Sequence, residues 1–200
     1  MIKIIIIGAL IAMLIFSIVR KINLFGTWNT TKRVSTPNEI IDISAPLSIY
    51  KSIVNKTLIT VGIGILLLII IIILTTKFKI ALIMLPISLY LIGQFFIMSN
   101  HLKTSKEQRI IFNKLTNEVK VDQGIGNQIS FNLLNDNIIV KEVKSVQRNN
   151  GVLFGYYILS INSKTIYIPY FVALNPQTKP FFDKLQLFNR EIETKLFPII

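Results

Sequence analysis

The chain has 200 residues, of which 52% are hydrophobic and only 16% charged, and its mean hydropathy is +0.58. Soluble domains carry roughly 25% charged residues, so this composition is typical of a membrane protein. The absence of cysteine excludes disulfide scaffolds, thiolate metal sites and cysteine nucleophiles, and the single histidine excludes an imidazole cluster. The net charge of +12 indicates an anionic partner, for which lipid headgroups are the simplest candidate.

The chain begins with an apolar stretch, residues 2–19, in which Lys3 is the only charged side chain. A bilayer core about 30 Å thick requires roughly 20 apolar residues in a helix, so residues 1–20 are predicted to form a first transmembrane helix. A cleaved secretory signal is the alternative, but no small-x-small cleavage site follows the apolar run. Gly8 and Ala12 lie four residues apart on one face, and this spacing predicts a close contact with another helix.

Residues 21–56 are predicted to form a cytoplasmic loop that begins with basic side chains. Candidate contacts with anionic lipids in this region are Arg20, Lys21, Lys32 and Arg33. After Pro46, apolar residues at helical spacing favour either a helix lying in the membrane surface or an N-terminal extension of the next transmembrane helix. The sequence leaves both alternatives open.

A transmembrane hairpin is predicted over residues 57–100. Its two apolar segments, 57–76 and 80–100, carry no charged side chain, and the three residues between them require the two helices to be antiparallel neighbours. Gln94 is the strongly polar side chain at membrane depth. We expect it to form a hydrogen bond with a neighbouring helix rather than to gate a pore.

The distribution of basic residues predicts the orientation. The 21–56 loop and the region after residue 100 carry more Lys and Arg than the short link at 77–79, so both are assigned to the cytoplasm and the N-terminus to the outside. Lys103 and Lys106 are further candidate contacts with anionic lipids, and the isolated His101 is predicted to be an interfacial side chain. The predicted location is a bacterial cytoplasmic (inner) membrane.

From residue 104 to residue 200 the pattern changes to short alternating runs separated by turn residues, which predicts β-strands. The predicted strands contain Ile110 and Phe112, Val119 and Val121, and Ile129 to Leu133, followed by residues 138–146, 153–161 and 165–170. Asn149-Asn150-Gly151 is the clearest turn, because Asn and Gly tolerate positive φ.

The end of the chain shows a different periodicity. Apolar residues at spacings of four, three, four and four predict an amphipathic C-terminal helix of about four turns. These residues are Phe181, Leu185, Phe188, Ile192 and Leu196. A run of strands followed by such a helix predicts a curved sheet that the helix covers.

Four sequence features together resemble those of a known class of domains. They are Ile110-Ile111-Phe112-Asn113, the 138–148 run, Phe154-Gly155-Tyr156-Tyr157 within the 151–161 strand, and residues 164–169. Together they resemble, over residues 106 to about 196, the bacterial pleckstrin-homology-like (PH-like) domains attached to membrane spans. The resemblance implies a non-enzymatic module for binding or assembly beside the membrane. Eukaryotic members often bind phosphoinositides through a basic first hairpin, which here offers only Lys114 and Lys120, so specific headgroup binding is not implied.

The searches for catalytic motifs find no phosphate-binding glycine loop, nucleophile elbow or zinc motif. We therefore expect no catalytic residues, no metal and no cofactor. The dispersed basic residues do not predict nucleic-acid binding. The predicted fold is an α+β membrane protein with three transmembrane helices and a PH-like domain closed by the C-terminal helix.

The predicted function is a non-enzymatic integral membrane scaffold or accessory subunit, with membrane lipids and a protein partner or a second copy as its contacts. One alternative is a small transport or channel component in which Pro86, Gly93 and Gln94 shape a path. Another is a membrane-embedded immunity or stress-response protein.

Overall fold

The computed structural model describes Phe16 and residues 39–124, 127–146, 148 and 150–200. The chain divides into two compact units, Met1–Ser35 and Thr36–Ile200, and the description below concerns the second. Apart from Phe16, the predicted first transmembrane helix lies outside the described residues. The predicted contact and lipid-binding residues that also lie outside them are Gly8, Ala12, Arg20, Lys21, Lys32 and Arg33.

Two long apolar helices dominate the described part of the chain. Helix α1 spans Leu47–Thr75, and a 3-10 turn at Lys79–Met84 leads into helix α2, Leu85–Glu107. Helix α1 and the helical stretch Lys79–Glu107, which comprises the 3-10 turn and α2, are each long and apolar enough to cross a membrane. Only 28% of the most apolar window of each is buried, unlike the core helix of a soluble protein. The structure therefore shows two candidate membrane spans among the described residues.

Helix α1 is continuous from Leu47, so the segment after Pro46 is an N-terminal extension of the long helix rather than a separate one. This is one of the two alternatives that the sequence left open. Ile40–Asp42, within the region expected to be a loop, form a strand. Pro46 fits the start because it lacks a backbone N–H and its carbonyl accepts the first hydrogen bonds, from Ile49 and Tyr50. The strand was missed because three residues are too short for a periodicity to show.

The first sheet is antiparallel with the order β1-β2-β3-β4. Strand β1 is Ile40–Asp42, β2 is Arg109–Asn113, β3 is Glu118–Asp122 and β4 is Gln128–Asn132. Alternate residues of β2, β3 and β4 are buried, as the apolar alternation predicted. The chain thus leaves this sheet after β1, forms the helical hairpin and returns as β2 beside β1.

The second sheet has the order β7-β6-β5-β8. Strand β5 is Ile139–Ser145, β6 is Gly155–Ile161, β7 is Lys164–Pro169 and β8 is Arg190–Lys195. Strands β5, β6 and β7 are antiparallel neighbours, and β6 and β7 are joined by Asn162 and Ser163, both at positive φ, which suits a two-residue hairpin loop. The predicted turn after β5 also has positive φ, at Asn150 and Gly151.

The predicted C-terminal helix of four turns is wrong. Helix α3 spans only Lys179–Leu185, and the following residues turn and form β8, which pairs in parallel with β5. Phe181 and Leu185 are buried as predicted, but Ile192 and Leu196 are each 53% exposed. Pairing with the open edge of β5 bonds the backbone of six residues and joins Arg190 to Glu142 at 2.9 Å, and these tertiary contacts outweigh the helical periodicity.

Helix α3 contacts both sheets through aromatic rings. The ring of Phe181 lies 5.4 Å from that of Phe112 on β2, and the ring of Phe182 lies 5.5 Å from that of Tyr157 on β6. Two 3-10 turns, Tyr170–Leu174 and Pro176–Thr178, lead into this helix. The helix therefore covers the sheets as expected, although it is half the predicted length. The observed class is an α+β fold with two apolar helices and two four-stranded sheets.

Candidate functional site

The outward surface of the two long helices is aliphatic. Along α1, from Ile59 to Leu74, seven large aliphatic side chains are between 41% and 63% exposed. Lys56 lies 19 residues before the end of α1 at Thr75, which corresponds to about 29 Å along the axis. This length matches a hydrocarbon core of about 30 Å.

The two helices pack closely at Gly64. A methyl group at this position would lie 2.8 Å from the β-carbon of Leu91 and 3.1 Å from the backbone nitrogen of Ile92. The buried hydroxyl of Ser88 donates a hydrogen bond of 2.8 Å to the Gly64 carbonyl. Further along the helices, the hydroxyls of Tyr50 and Ser105 are 2.7 Å apart, which shows that α1 and α2 run antiparallel as predicted. Sequence reasoning missed Gly64, whose signal was a small residue within an otherwise aliphatic run.

Gln94 is completely buried. Its side-chain amide donates to the carbonyl of Tyr90 one turn earlier at 3.4 Å, and its side-chain oxygen has no partner among the described residues. The side chain thus faces the protein interior rather than lipid. Its predicted bond to a neighbouring helix stays a prediction.

Lysines surround the end of the hairpin that joins the sheets. We call Lys51, Lys56, Lys103 and Lys106 the juxtamembrane lysines, and all four are exposed. Lys103 lies 3.7 Å from Glu107, but both side chains are largely exposed, so this ion pair contributes little stability. Long lysine stems can follow apolar surface while the ammonium reaches the headgroups. The structure therefore brings Lys103 and Lys106 to the same end of the hairpin as two lysines of α1.

The hairpin is joined to the sheets by buried contacts at this same end. The ring of Tyr50 on α1 lies 5.3 Å from that of Phe171, between β7 and α3. Gln108, directly after α2, donates to the carbonyl of Tyr167 on β7, and Asn175 donates to the carbonyl of Ser44 at 2.8 Å. Side chains from both helix ends therefore belong to the core of the sheet region.

His101 is a central residue of this junction, not the interfacial side chain that was expected. It is completely buried, and its ring lies 5.6 Å from Phe154 and 5.8 Å from Tyr156. Its Nε2 lies 2.7 Å from the carbonyl oxygen of Pro198, which can only accept, so Nε2 carries the proton. Its other ring nitrogen has no partner among the described residues. The single histidine thus fastens the end of the chain to α2.

The last five residues, Leu-Phe-Pro-Ile-Ile at 196–200, lie along α2, and we call them the LFPII segment. The Asn100 side chain forms two hydrogen bonds with the backbone of Ile200, accepting at 2.7 Å and donating at 3.0 Å. The ring of Phe197 lies against Gly93, where a methyl group would come within 2.8 Å of it, and 5.5 Å from the ring of Tyr90. No sequence pattern pointed to this contact, because the segment was assigned to the predicted helix.

A polar cluster stabilises β8 against β5 on the sheet side. Glu142, whose side chain is 12% exposed, accepts hydrogen bonds from Arg190 at 2.9 Å and from the hydroxyl of Tyr170. Burial, and then the hydrogen bond to Glu142, raise the pKa of Tyr170 above its ordinary value. Burial also raises the pKa of Tyr157 nearby. All three members of the cluster have partners, as a structural role requires.

An open groove of about 220 Å³ lies between the end of β4 and the residues after α3. It is lined by Leu133, Leu134, Lys184, Leu187 and Phe188. Its one titratable side chain is Lys184, so its walls supply apolar contact rather than catalytic groups. Within the described residues no three His, Asp or Glu side chains lie close enough together to bind a metal ion.

The described residues thus bring together the ends of an apolar hairpin, four exposed lysines and the edges of two sheets. Comparisons with protein families, with curated proteins and with solved structures find no match for this chain.

Proposed function

We propose that the chain is a non-enzymatic integral membrane scaffold or accessory subunit that holds a PH-like domain against a bacterial cytoplasmic membrane. The observation that carries this proposal is the buried junction between the hairpin and the sheets. Because Tyr50, His101 and Gln108 contribute to the core of the sheet region, the hairpin fixes that region rather than tethering it through a linker. A fixed domain presents its outer surfaces at a constant height above the bilayer.

The aliphatic surface of the helices supports the membrane part of the proposal. In water, exposed aliphatic area costs roughly 25 cal/mol per Å², and the hairpin exposes large apolar side chains from Ile59 to Leu74 and from Phe78 to Phe96. The juxtamembrane lysines at one end and Lys77 with Lys79 at the other end have the spacing of two headgroup layers. The larger number of basic residues on the sheet side favours a cytoplasmic location for that side. With a first span before residue 21, the N-terminus lies outside.

Two sheets and a covering helix α3 support the PH-like assignment of the soluble region, over the elements from β2 to α3. Exposed apolar side chains on these elements offer surfaces for a protein partner, and one of these surfaces is the groove beside Leu134 and Leu187. A scaffold of this kind requires no reacting group, only a partner that recognises the positioned surface.

The transport alternative is less well supported at the residues that motivated it. The face of α2 at Gly93 is filled by the ring of Phe197, and Gln94 is buried. Neither Gly93 nor Gln94 therefore lines an open path among the described residues. Liposomes containing the purified chain would reveal a transport function as solute flux that is lost in Gln94→Leu.

Labelling of single cysteines tests spanning and orientation, because the chain has no cysteine of its own. Phe78→Cys marks the turn of the hairpin, where Phe78 is 61% exposed, and Leu115→Cys marks the turn between β2 and β3, where Leu115 is 67% exposed. In intact cells an impermeant maleimide should label residue 78 and should reach residue 115 only after the cells are opened. Labelling of 115 alone contradicts the orientation, and labelling of both contradicts spanning.

Purification in mild detergent with cross-linking and mass spectrometry tests the scaffold function. We expect a stoichiometric partner or a homo-oligomer whose cross-links map to the sheet region. Leu187→Lys, in the groove, tests whether the partner binds there. Leu115→Lys, outside the groove, is its matched control, because both side chains are largely exposed. A monomer that turns over a substrate would contradict the proposal.

A further inference from the structure

The LFPII segment combines two properties that are costly in water but suited to lipid. Leu196 and Ile199 are each 53% exposed and Phe197 is 39% exposed, and none of the five side chains carries a charge. The segment follows directly on Lys195, which is the last charged residue and lies 3.3 Å from Glu193. The polar strand β8 therefore passes directly into the apolar LFPII segment after Lys195.

Six backbone polar groups of this segment form hydrogen bonds, although the segment is neither helix nor strand. The four carbonyls from 197 to 200 accept, in order, from the N–H of Ile199, the ring of His101, the hydroxyl of Tyr156 and the side chain of Asn100. The N–H of Ile200 is bonded to Asn100 as well. Irregular backbone is tolerated at membrane depth only when its polar groups are satisfied by protein. A segment lying in water needs no such arrangement.

The place where Phe197 contacts α2 indicates how deep its ring lies in the proposed membrane. Gly93, which receives the ring of Phe197, lies ten residues before Lys103, or about 15 Å along the axis. A headgroup layer is about 5 to 7 Å thick, so with Lys103 among the headgroups the ring lies at the level of the acyl chains. Asn100 and His101, which bind the backbone of Ile200 and Pro198, are closer to Lys103 and lie at the inner edge of the headgroup layer. The ring thus packs on α2 between the exposed side chains of Leu89 and Phe96 in the sequence, within the part of the hairpin proposed to contact lipid.

We infer that the LFPII segment inserts into the leaflet on the sheet side and is a second lipid-contacting element of the protein. The inference rests on the proposed membrane location of the hairpin. Lipid contacts Leu196, Phe197 and Ile199 from outside, while Asn100, His101 and Tyr156 hold the backbone from inside. Because the segment extends from β8, its insertion gives the second sheet a further contact with the bilayer, beside the contacts that it already makes with α2 and Gln108 through Tyr156 and Tyr167.

Fluorescence quenching in proteoliposomes of the full chain tests this inference. The environment-sensitive probe NBD is attached to Ile199→Cys, to Ile69→Cys on the exposed face of α1, and to Leu115→Cys in the turn between β2 and β3, with Leu196→Cys as a second probe of the segment. We expect blue-shifted emission at 199 and 196, strong quenching by lipids that carry a nitroxide on the acyl chain, and protection from iodide. Residue 69 should behave in the same way, and residue 115 should be quenched by iodide.

Each other outcome is informative. If 69 is quenched by the lipid nitroxide while 199 and 196 are quenched by iodide, the segment lies in water and the inference fails, whereas the membrane proposal stands. If 199 and 196 are protected from both quenchers, protein covers them and the inference also fails. If 69 itself is not quenched by lipid, both the inference and the proposed membrane location fail.

Discussion

Gly64 gives the sharpest test of the packing between the two long helices. Replacing it with alanine places a methyl group 2.8 Å from the Leu91 β-carbon and 3.1 Å from the backbone nitrogen of Ile92. Neither atom is the end of a flexible side chain, so the helices must separate to make room. Separation also lengthens the hydrogen bond from Ser88 to the Gly64 carbonyl, now 2.8 Å. Gly62 is the matched control, because a methyl group there meets nothing within 4 Å.

The expected free energies follow from two opposing effects. Alanine is favoured over glycine inside a helix by about 0.5–1 kcal/mol, and this gain applies at both positions. Overpacking at Gly64 costs about 1–3 kcal/mol, and an interhelical hydrogen bond of this kind contributes about 0.6 kcal/mol on average, part of which is lost. Gly62→Ala should therefore be stabilising by up to about 1 kcal/mol. The free energy of unfolding of Gly64→Ala should be about 1–3 kcal/mol lower than that of Gly62→Ala.

Thermal unfolding in a mild detergent, followed by circular dichroism, measures this difference. For chains of 150–250 residues, 1 kcal/mol corresponds to about 2–4 °C, so the two variants should differ in Tm by about 2–12 °C. The comparison is internal, since both substitutions add the same methyl group to the same helix. An equal Tm for both variants, or a higher Tm for Gly64→Ala, would refute the packing argument.

Three further predictions concern the sheet region and its junction with α2. Because burial and the bond to Glu142 raise the pKa of Tyr170, the folded state keeps this phenol neutral and loses stability once the pH exceeds about 10, where the unfolded chain ionises. Tyr170→Phe should therefore lose less Tm between about pH 9 and about pH 11 than the unsubstituted chain, and an identical loss would contradict this. Arg190→Ala leaves the Glu142 carboxylate nearly buried without its cation and should cost about 1–3 kcal/mol in chemical unfolding, whereas Lys103→Ala, whose ion pair is largely exposed, should cost at most about 0.5 kcal/mol. Asn100→Leu removes both side-chain bonds to Ile200 and should accelerate amide exchange at that residue, measured by mass spectrometry, with unchanged exchange in β3 as the control.

Local patterns were sufficient to predict most of the elements. The uncharged runs at 57–76 and 80–100 predicted the helical hairpin, and the alternation around Phe112, Val119 and Phe131 predicted β2, β3 and β4, because burial of one face imposes a period of two. Positive φ at Asn117, Asn150 and Asn162 followed the usual preference of asparagine for turns.

The errors have one physical origin, since they lie where partners distant in the sequence decide the structure. Residues 190–195 alternate Glu191, Ile192, Glu193 and Thr194, a pattern that fits an exposed strand as well as the polar face of a helix. The open edge of β5 decides between them, and this edge exists only after β5, β6 and β7 have formed. The candidate site was missed for the same reason: His101 and Asn100 have partners 97 and 100 residues away.

The helical hairpin lies between two neighbouring strands of the first sheet, so pairing of these strands requires the two ends of the hairpin to come together. Strand β1 ends at Asp42 and its neighbour β2 begins at Arg109, so the hairpin takes the place of the loop that would join two antiparallel strands. The side chains of Asp42 and Arg109 lie 3.6 Å apart across this boundary. Neighbouring strands are about 4.8 Å apart, whereas packed helices are 8–10 Å apart, so the helix ends must converge on the sheet.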